Sequence, residues 1–294
     1  MDMLKAMTVS LEVANRGGFS SAGRVLGLSP PSVTRIISEL EAELGVPLFR
    51  RSTRSVDTTE AGERFLVAAR QTVDGVQAAR AAAREDAETP RGVLRVTAPV
   101  LFGQMHVLPI VQAFLDLYPD VRADLTLTDR QTALIEEGQD VAVRIGHLQD
   151  SSLKAVRVAQ VRWTVCTAPS YFETAPRPAL PQDLKDHRTI GFLGRGPEIR
   201  WRFRDDCEVV LSPHMRCSTM SGCIAAARSG WGLTRALSYQ VDPLIGDGQL
   251  VQVLAEYEKA PFPVSLLHSE GGVANTRTRR FTEFFRARIA NVAL

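Results

Sequence analysis

The chain has 294 residues, more than one small domain needs, so two or three domains are expected; 45% hydrophobic and 23% charged residues place it among ordinary folded proteins rather than disordered or membrane-embedded ones. A formal net charge of +2 and a sequence pI near 8.4 are only mildly basic, so the placement of charge matters more than its sum. The opening MDMLKAMTVSLEVANRGG lacks the basic start and apolar core of a secretion signal, and no apolar run approaches bilayer length, so a cytoplasmic protein without a membrane partner is expected.

From the N-terminus, GGFSSAGRVLGLS reads as a short helix. Ser20 or Ser21 can cap it, Ala22, Val25 and Leu26 form its apolar side, and Gly27 supplies the positive φ that ends it. The next run, LSPPSVTRIISELEAELG, opens a second helix. Ser29 caps it, and Pro30 and Pro31 occupy its first two positions, where a missing N–H has no intrahelical acceptor to lose. Gly45 ends it. Val33, Ile36, Ile37, Leu40 and Leu44 make one apolar face, and Ser32, Thr34, Arg35, Ser38 and Glu39 the other. Near its start the polar face is small and uncharged except for Arg35, which suits a helix pushed end-first into a nucleic-acid groove. VPLFRRSTRSVDTTEAG then reads as a two-stranded wing with Arg50, Arg51 and Arg54 clustered at or near its tip. Glu39, Glu41 and Glu43 are expected to line the helix away from a polyanion.

Thr59 to Glu88 predicts one long helix, capped by Thr59 and carrying Glu60 and Glu63 in its first turn. Ala61, Phe65, Ala68, Thr72, Val73, Val76 and Ala79 trace a thin apolar stripe, for which a second copy of the chain is the simplest partner. Pro90 breaks the helix. From Val93 the pattern alternates. VLRVTAP, VRADLTLTD and DVAVRIG read as strands, with a helix from about Val100 to Tyr118 and a shorter one over RQTALIEEGQ. RWTVCTAP and PVSLLHS read as further strands, STMSGCIAAARSGWGL as a loop, helix and turn, and NTRTRRFTEFFRARIANVAL as a closing amphipathic helix. Strand–helix alternation at this pace predicts α/β layers with parallel strands.

FSSAGRVLGLSPPSVTRIISELEAELGVPLFRRSTRSVDTTEAG resembles the DNA-binding head of the LysR-type transcriptional regulators, with its Ala-Gly-x-x-Leu helix, Leu-Glu-x-x-Leu-Gly, Leu-Phe-x-Arg and Thr-Glu-Ala-Gly in order over more than fifty residues. RGVLRVTAP, DVAVRIG and GDGQLVQVL are compatible with the family's effector domain. The resemblance implies a multi-domain α+β architecture. A winged helix-turn-helix at 1–58 and a linker and dimerisation helix at 59–90 precede a two-lobed α/β domain of the periplasmic-binding-protein type at 91–294. Lobe I spans about 91–161 and 265–294, and lobe II about 162–264. It also implies a homodimer or dimer of dimers on double-stranded DNA, with RNA polymerase as a further partner. Contacts to DNA are expected from Ser20, Ser21, Ser29, Pro30, Pro31, Ser32, Thr34, Arg35, Arg50, Arg51 and Arg54, although the family more often has a polar residue at Pro30.

The same resemblance places a small-molecule effector between the lobes, against Ala98, Pro99, Val100, Leu101, Thr128, Arg144, Met220 and Ser221. The N–H groups at the start of the helix at Met220, Ser221 and Gly222 can hold an anion, whereas Arg144 can equally form an ion pair with Asp129 or Asp140. Relatives often carry Ser or Thr where this chain has Val100, which permits a bulkier or aromatic effector. Arg200, Arg202 and Arg204 alternate along a strand, ordinarily an exposed face and less commonly an anion site. Four cysteines, Cys166, Cys207, Cys217 and Cys223, form no C-x-x-C pair, and no metal or cofactor is called for. No catalytic constellation is visible, so an enzyme is not expected. Two other readings remain open: a thiol redox sensor through Cys217 and Cys223, and a solute-binding protein with no regulatory role.

Overall fold

In the computed structural model of the chain the described residues are 1–51, 56–82, 89–129, 138–148, 154–193, 196–268, 276–290 and 292. The head begins with α1 (Met3–Arg16), α2 (Phe19–Leu26) and α3 (Pro30–Leu44). Gly27 turns the chain between α2 and α3 with φ of 65°, a conformation that a Cβ disfavours. Val33, Ile36, Ile37 and Leu40 of α3 pack with Ala6, Val9 and Val13 of α1 and Ala22 of α2 into one small core. Leu44, expected on that face, is exposed, because the helix has passed the edge of the core before Gly45 ends it. The wing is an antiparallel pair, β1 (Phe49–Arg51) with β2 (Val56–Thr58). The expected cap of α2 is corrected: Gly18 is its N-cap residue, and Ser20 and Ser21 lie inside the helix.

The long helix α4 (Glu60–Ala82) starts where predicted. The Thr59 hydroxyl accepts from Gly62 N at 2.9 Å and donates to Pro47 O at 2.7 Å, so one side chain caps the helix and ties it to the wing. A Cβ on Gly62 would meet Leu48 O at 2.0 Å, so only glycine allows this approach. The buried line along α4 is Leu66, Ala69 and Val73. Of the expected stripe, Ala68, Thr72 and Ala79 are exposed. Val73 of the expected stripe is buried and Phe65 packs half-buried on the head core, so only the small residues of that stripe turn away. Leu66 joins the head core, so the inward stripe is used within the chain and the small-residue stripe faces outward. Residues 83–88, the expected end of this helix, lie outside the described residues.

Two five-stranded sheets follow. β3 (Gly92–Ala98), β4 (Val121–Leu127), β5 (Val141–Ile145) and β6 (Lys154–Val161) lead to β7 (Trp163–Thr167), β8 (Thr189–Phe192), β9 (Ile199–Arg202), β10 (Glu208–Leu211) and β11 (Met215–Cys217). β12 (Leu233–Leu237), β13 (Val251–Val253) and β14 (Phe262–His268) complete the strands. The first sheet runs β4-β3-β5-β14-β6, with β3 parallel to β4 and β5, and β14 antiparallel to both neighbours. The second runs β11-β8-β12-β7-β13, with β8 parallel to β11 and β12, and β7 antiparallel to both of its neighbours. β9 and β10 form a separate antiparallel hairpin. β14 lies wholly in the first sheet and straddles the expected lobe boundary at 264–265.

After β3 the chain forms α5 (Val100–Phe102), a π-helical turn over Gly103–Val107 and α6 (Leu108–Leu117). This continuous 18-residue stretch is apolar and long enough, by length and composition, to cross a membrane, which corrects the expectation that no run approaches that length. Its Phe102, Val107, Ile110, Val111 and Phe114 instead fill the core of lobe I, with Phe281 and Phe285 of α9 (Thr276–Ile289). In lobe II, α7 (Met220–Arg228) and α8 (Ser238–Gly246) cover the sheet. The short helix expected over 130–137 lies outside the described residues.

One residue, Arg162, separates β6 of the first sheet from β7 of the second. Its backbone N donates to Ser238 Oγ at 3.2 Å, its carbonyl accepts from Ser238 N at 2.8 Å, and its guanidinium meets Asp242 at 2.9 Å. The return crossing carries the buried Arg235–Glu258 ion pair, whose side chains are 5% and 4% exposed. Arg277 of α9 joins Asp140 at 3.4 Å, Asp74 of α4 at 3.6 Å and Arg91 O at 3.1 Å, fixing the linker helix against lobe I.

Candidate nucleic-acid interface and interlobe cleft

The end of α3 is built by its cap. Ser29 holds extended backbone, its Oγ accepts from Ser32 N at 3.4 Å, and the two hydroxyls are 2.8 Å apart. Pro30 and Pro31 occupy the first two helical positions as expected. Ser29, Pro30, Pro31 and Arg35 are exposed, and Ser32 and Thr34 half-buried. The opposite face of the helix is core. Arg35 is 70% exposed and its Nη1 lies 3.0 Å from Glu39 Oε1. Such surface pairs contribute about 0.2–1 kcal/mol, so this one parks the guanidinium rather than committing it. Glu41 departs from the expected solvated role: its Oε1 accepts from Leu48 N at 2.7 Å and Phe49 N at 3.1 Å, which sets the wing's angle to α3. Nothing short of the tertiary contact distinguishes it from Glu39 and Glu43.

Arg50 is exposed and stands opposite Asp57 across the wing. Arg51 pairs with Val56; its side chain and the whole of Arg54 lie outside the described residues. Ser20 is exposed. Ser21 is half-buried and donates to Gly18 O at 3.0 Å, tying α2 back to the preceding turn.

Between the lobes lie two neighbouring chambers that share Ile145, Trp163, Phe192, Met220 and Phe262. The smaller, about 320 Å³, brings together Pro99, Leu101, Thr128, Arg144 and Met220 of the expected set. Three expected residues do not line it. Ala98 is fully buried at the end of β3. Val100 is bound through its backbone, whose N donates to Asp129 Oδ1 at 3.0 Å. Ser221 is exposed, and its hydroxyl donates to Thr219 Oγ1 at 3.2 Å. Thr219 is the N-cap of α7 and accepts from Gly222 N, so an N–H expected to hold an anion is already occupied. Asp140, a candidate partner of Arg144, is taken instead by Arg277 and by Arg95 N at 2.7 Å. Burial still pushes its carboxyl upward.

Trp163, Phe192, Leu237, Tyr239, Gln240 and Phe262 also line the smaller chamber and were not anticipated. Each stands at a strand end or in the first turn of α8, where no local sequence signal distinguishes a cleft wall from core. Tyr239 of lobe II packs on Phe102 at 5.1 Å and His106 at 5.5 Å, both in lobe I, and its hydroxyl accepts from Gln240 Nε2 at 3.0 Å. Burial raises the Tyr239 phenol and lowers the His106 imidazole, so it favours the neutral form of each at this seam. His106 Nε2 is buried without a hydrogen-bond partner among the described residues.

Cys217 and Cys223 are adjacent, but burial and the neighbouring Cys217 thiol push the Cys223 thiol up to about 11. A protonated thiol is a poor nucleophile, so burial disfavours Cys223 as the attacking thiol.

Residues 4–63 match the bacterial regulatory helix-turn-helix protein, lysR family, and residues 87–290 match the LysR substrate binding domain. The chain belongs to the LysR family. It is 30% identical over 288 residues to the HTH-type transcriptional regulator CrgA of Neisseria meningitidis serogroup C, covering 97% of this chain and 96% of that protein. It is 31% identical over 273 residues to the HTH-type transcriptional activator AaeR of Escherichia coli K12, covering 92% and 88%. The solved structure of CrgA from Neisseria meningitidis superposes with a TM-score of 0.64 at 29% identity, covering 98% and 99% of the two chains. A full-length OxyR variant from Pseudomonas aeruginosa shares the fold, with a TM-score of 0.72 at 17% identity, covering 99% and 95%. This LysR-type chain is therefore a DNA-binding transcriptional regulator with an effector-binding domain.

Proposed function

We propose that this regulator reads a specific operator with the start of α3 and is switched by a small molecule held between its lobes. The observation that carries the reading is the two-sided construction of α3. One face is locked in the head core, and Ser29, Pro30, Pro31, Ser32, Thr34 and Arg35 stand on the side left open. Short side chains permit close approach to base edges, and Arg35 can exchange Glu39 for a guanine or phosphate. Arg50, Arg51 and Arg54 of the wing meet the sugar–phosphate backbone or minor groove, with Ser20 and Ser21 at an adjacent phosphate. Units near 1–58, 59–90 and 91–294 then act as reader, spacer and sensor. The outward stripe of α4, with Ala68, Thr72 and Ala79, pairs with a second subunit, and two heads face half-sites one or more helical turns apart, roughly 34 Å per turn. The protein works in the cytoplasm, as a dimer or dimer of dimers that contacts RNA polymerase.

Pro99, Leu101, Thr128, Arg144 and Met220 contact the effector, while Ala98, Val100 and Ser221 support the loops that carry them. The effector acts by favouring one arrangement of the oligomer over another. Selection of bound genomic fragments by the purified full-length protein, followed by gel-shift titration on the best fragment, tests the reading. Tight, competitor-resistant binding to a two-fold symmetric site is expected. Equal binding to all fragments would refute it.

A further inference from the structure

The larger chamber, about 750 Å³, lies under the β9–β10 hairpin, and the smaller-chamber effector reading does not use it. Its lining is partly aromatic and aliphatic, with Trp163, Trp201, Phe192 and Phe262 beside Ile190 and Ile199, and it also carries Arg200, Arg202, Arg235 and Lys259. Their carboxylate partners stand outside the lining and are too few. Glu208 alone serves two guanidiniums, Arg200 Nη1 at 2.9 Å and Arg202 Nε at 2.7 Å. Lys259 is 3.6 Å from Asp206. Arg235 is tied to Glu258 through Nε and Nη2, and Nη2 also donates to Arg202 O at 2.9 Å. Its Nη1 has no acceptor among the described residues. The guanidinium is also sandwiched against Trp163 at 5.3 Å and Phe203 at 4.6 Å, so it cannot swing away to find an acceptor.

A surplus of guanidinium donors beside aromatic rings suits an organic anion carried on a flat apolar body. The anion meets arginine donors in pairs, and a flat apolar body covers the tryptophans. The volume is in the range of a ring-sized organic ligand and far larger than a bare inorganic anion needs. From this we propose that the hairpin chamber binds an aromatic carboxylate, with its carboxylate toward Arg200, Arg202 and Arg235 and its ring toward Trp163 and Phe262. The two chambers share their aromatic wall, so a ligand in this one also touches the effector cleft. Its regulatory meaning, though not its binding, rests on the function proposed above.

The test is isothermal titration calorimetry of the full-length protein with 1-naphthoate, its neutral isostere 1-naphthamide, and acetate. Naphthoate is expected to bind saturably, naphthamide at least tenfold more weakly, and acetate not measurably. Arg200→Gln with Arg202→Gln should weaken naphthoate about tenfold and leave naphthamide unchanged, with circular dichroism confirming the fold. Glu208→Gln acts in the opposite direction. It releases both guanidiniums from their competitor and should tighten naphthoate several-fold. Equal binding of acid and amide, or weakening by Glu208→Gln, overturns the proposal. The same samples are run in gel shifts on the selected operator. Operator binding without naphthoate binding removes the chamber site and leaves the regulator reading intact. Naphthoate binding as expected, in a protein that does not discriminate among DNA fragments, sustains the site and removes the operator reading.

Discussion

The open start of α3 and the cleft between the lobes differ in how they are assembled. The first is a single segment, Ser29 to Arg35, whose shape follows from a serine cap, two prolines and the helical repeat. The second takes walls from the ends of β3, β4, β5, β7, β8, β12 and β14 and from the first turns of α7 and α8. A surface built on one helix can be altered residue by residue with little effect on folding. A cleft whose walls are also hinges and core cannot, because its residues carry two duties.

That contrast can be broken by mutation. The largest effect is expected at Arg235. Arg235→Ala leaves Glu258 buried without its cation, which typically destabilises by about 3–5 kcal/mol, so urea unfolding of lobe II should shift by that amount. A shift below about 1 kcal/mol would mean that the crossing does not depend on the pair. Next is Arg35→Ala, which should lower specific DNA affinity by about 1–3 kcal/mol with no change in the unfolding midpoint. Equal loss on specific and random DNA would reassign Arg35 from base to phosphate. Smaller again is Ser29→Ala: loss of the cap costs about 0.5–2 kcal/mol of head stability, and an unmoved head transition would show that the two prolines suffice to start the helix.

The subtlest effect concerns pH at the seam where His106 meets Tyr239. Burial holds the His106 pKa below its ordinary 6.5. The folded state therefore favours the neutral ring, and the stability this contributes is present above pH 6.5 and lost as pH falls through the lowered folded value. Tm measured across acid pH should fall more steeply in the native protein than in His106→Gln. Parallel curves would exonerate the imidazole and move the acid sensitivity to other groups.

Much of the head was legible in advance because its determinants are local. A cap, prolines at the helix start and a glycine past its end act over a few residues, and α3 has the bounds they imply. α4 shows where such reading stops. Periodicity located an apolar stripe that included Val73, but only the packed structure shows that Leu66 and Ala69 are buried too while Ala68, Thr72 and Ala79 face outward. Ser20 and Ser21 show a finer limit: the helix takes Gly18 as its N-cap residue and draws both serines inside. In the cleft, the family resemblance pointed to Thr128, Arg144 and Met220, whereas nothing in the sequence pointed to Trp163, Tyr239 and Phe262. An aromatic residue at a strand end carries the same local signal whether it fills a core or walls a cavity.

By itself, the order of residues determined the α3 helix and its polar open side, the glycine turn, the wing, the start of the linker helix and the alternation of strands with helices, because each depends on neighbours within a few positions. Tertiary structure alone decided which stripe of α4 faces inward, that Glu41 aims the wing, and that Arg200, Arg202 and Arg235 converge beneath one hairpin. Those outcomes depend on chain crossings such as Arg162 and on charge pairings between residues distant in sequence, which no local pattern encodes.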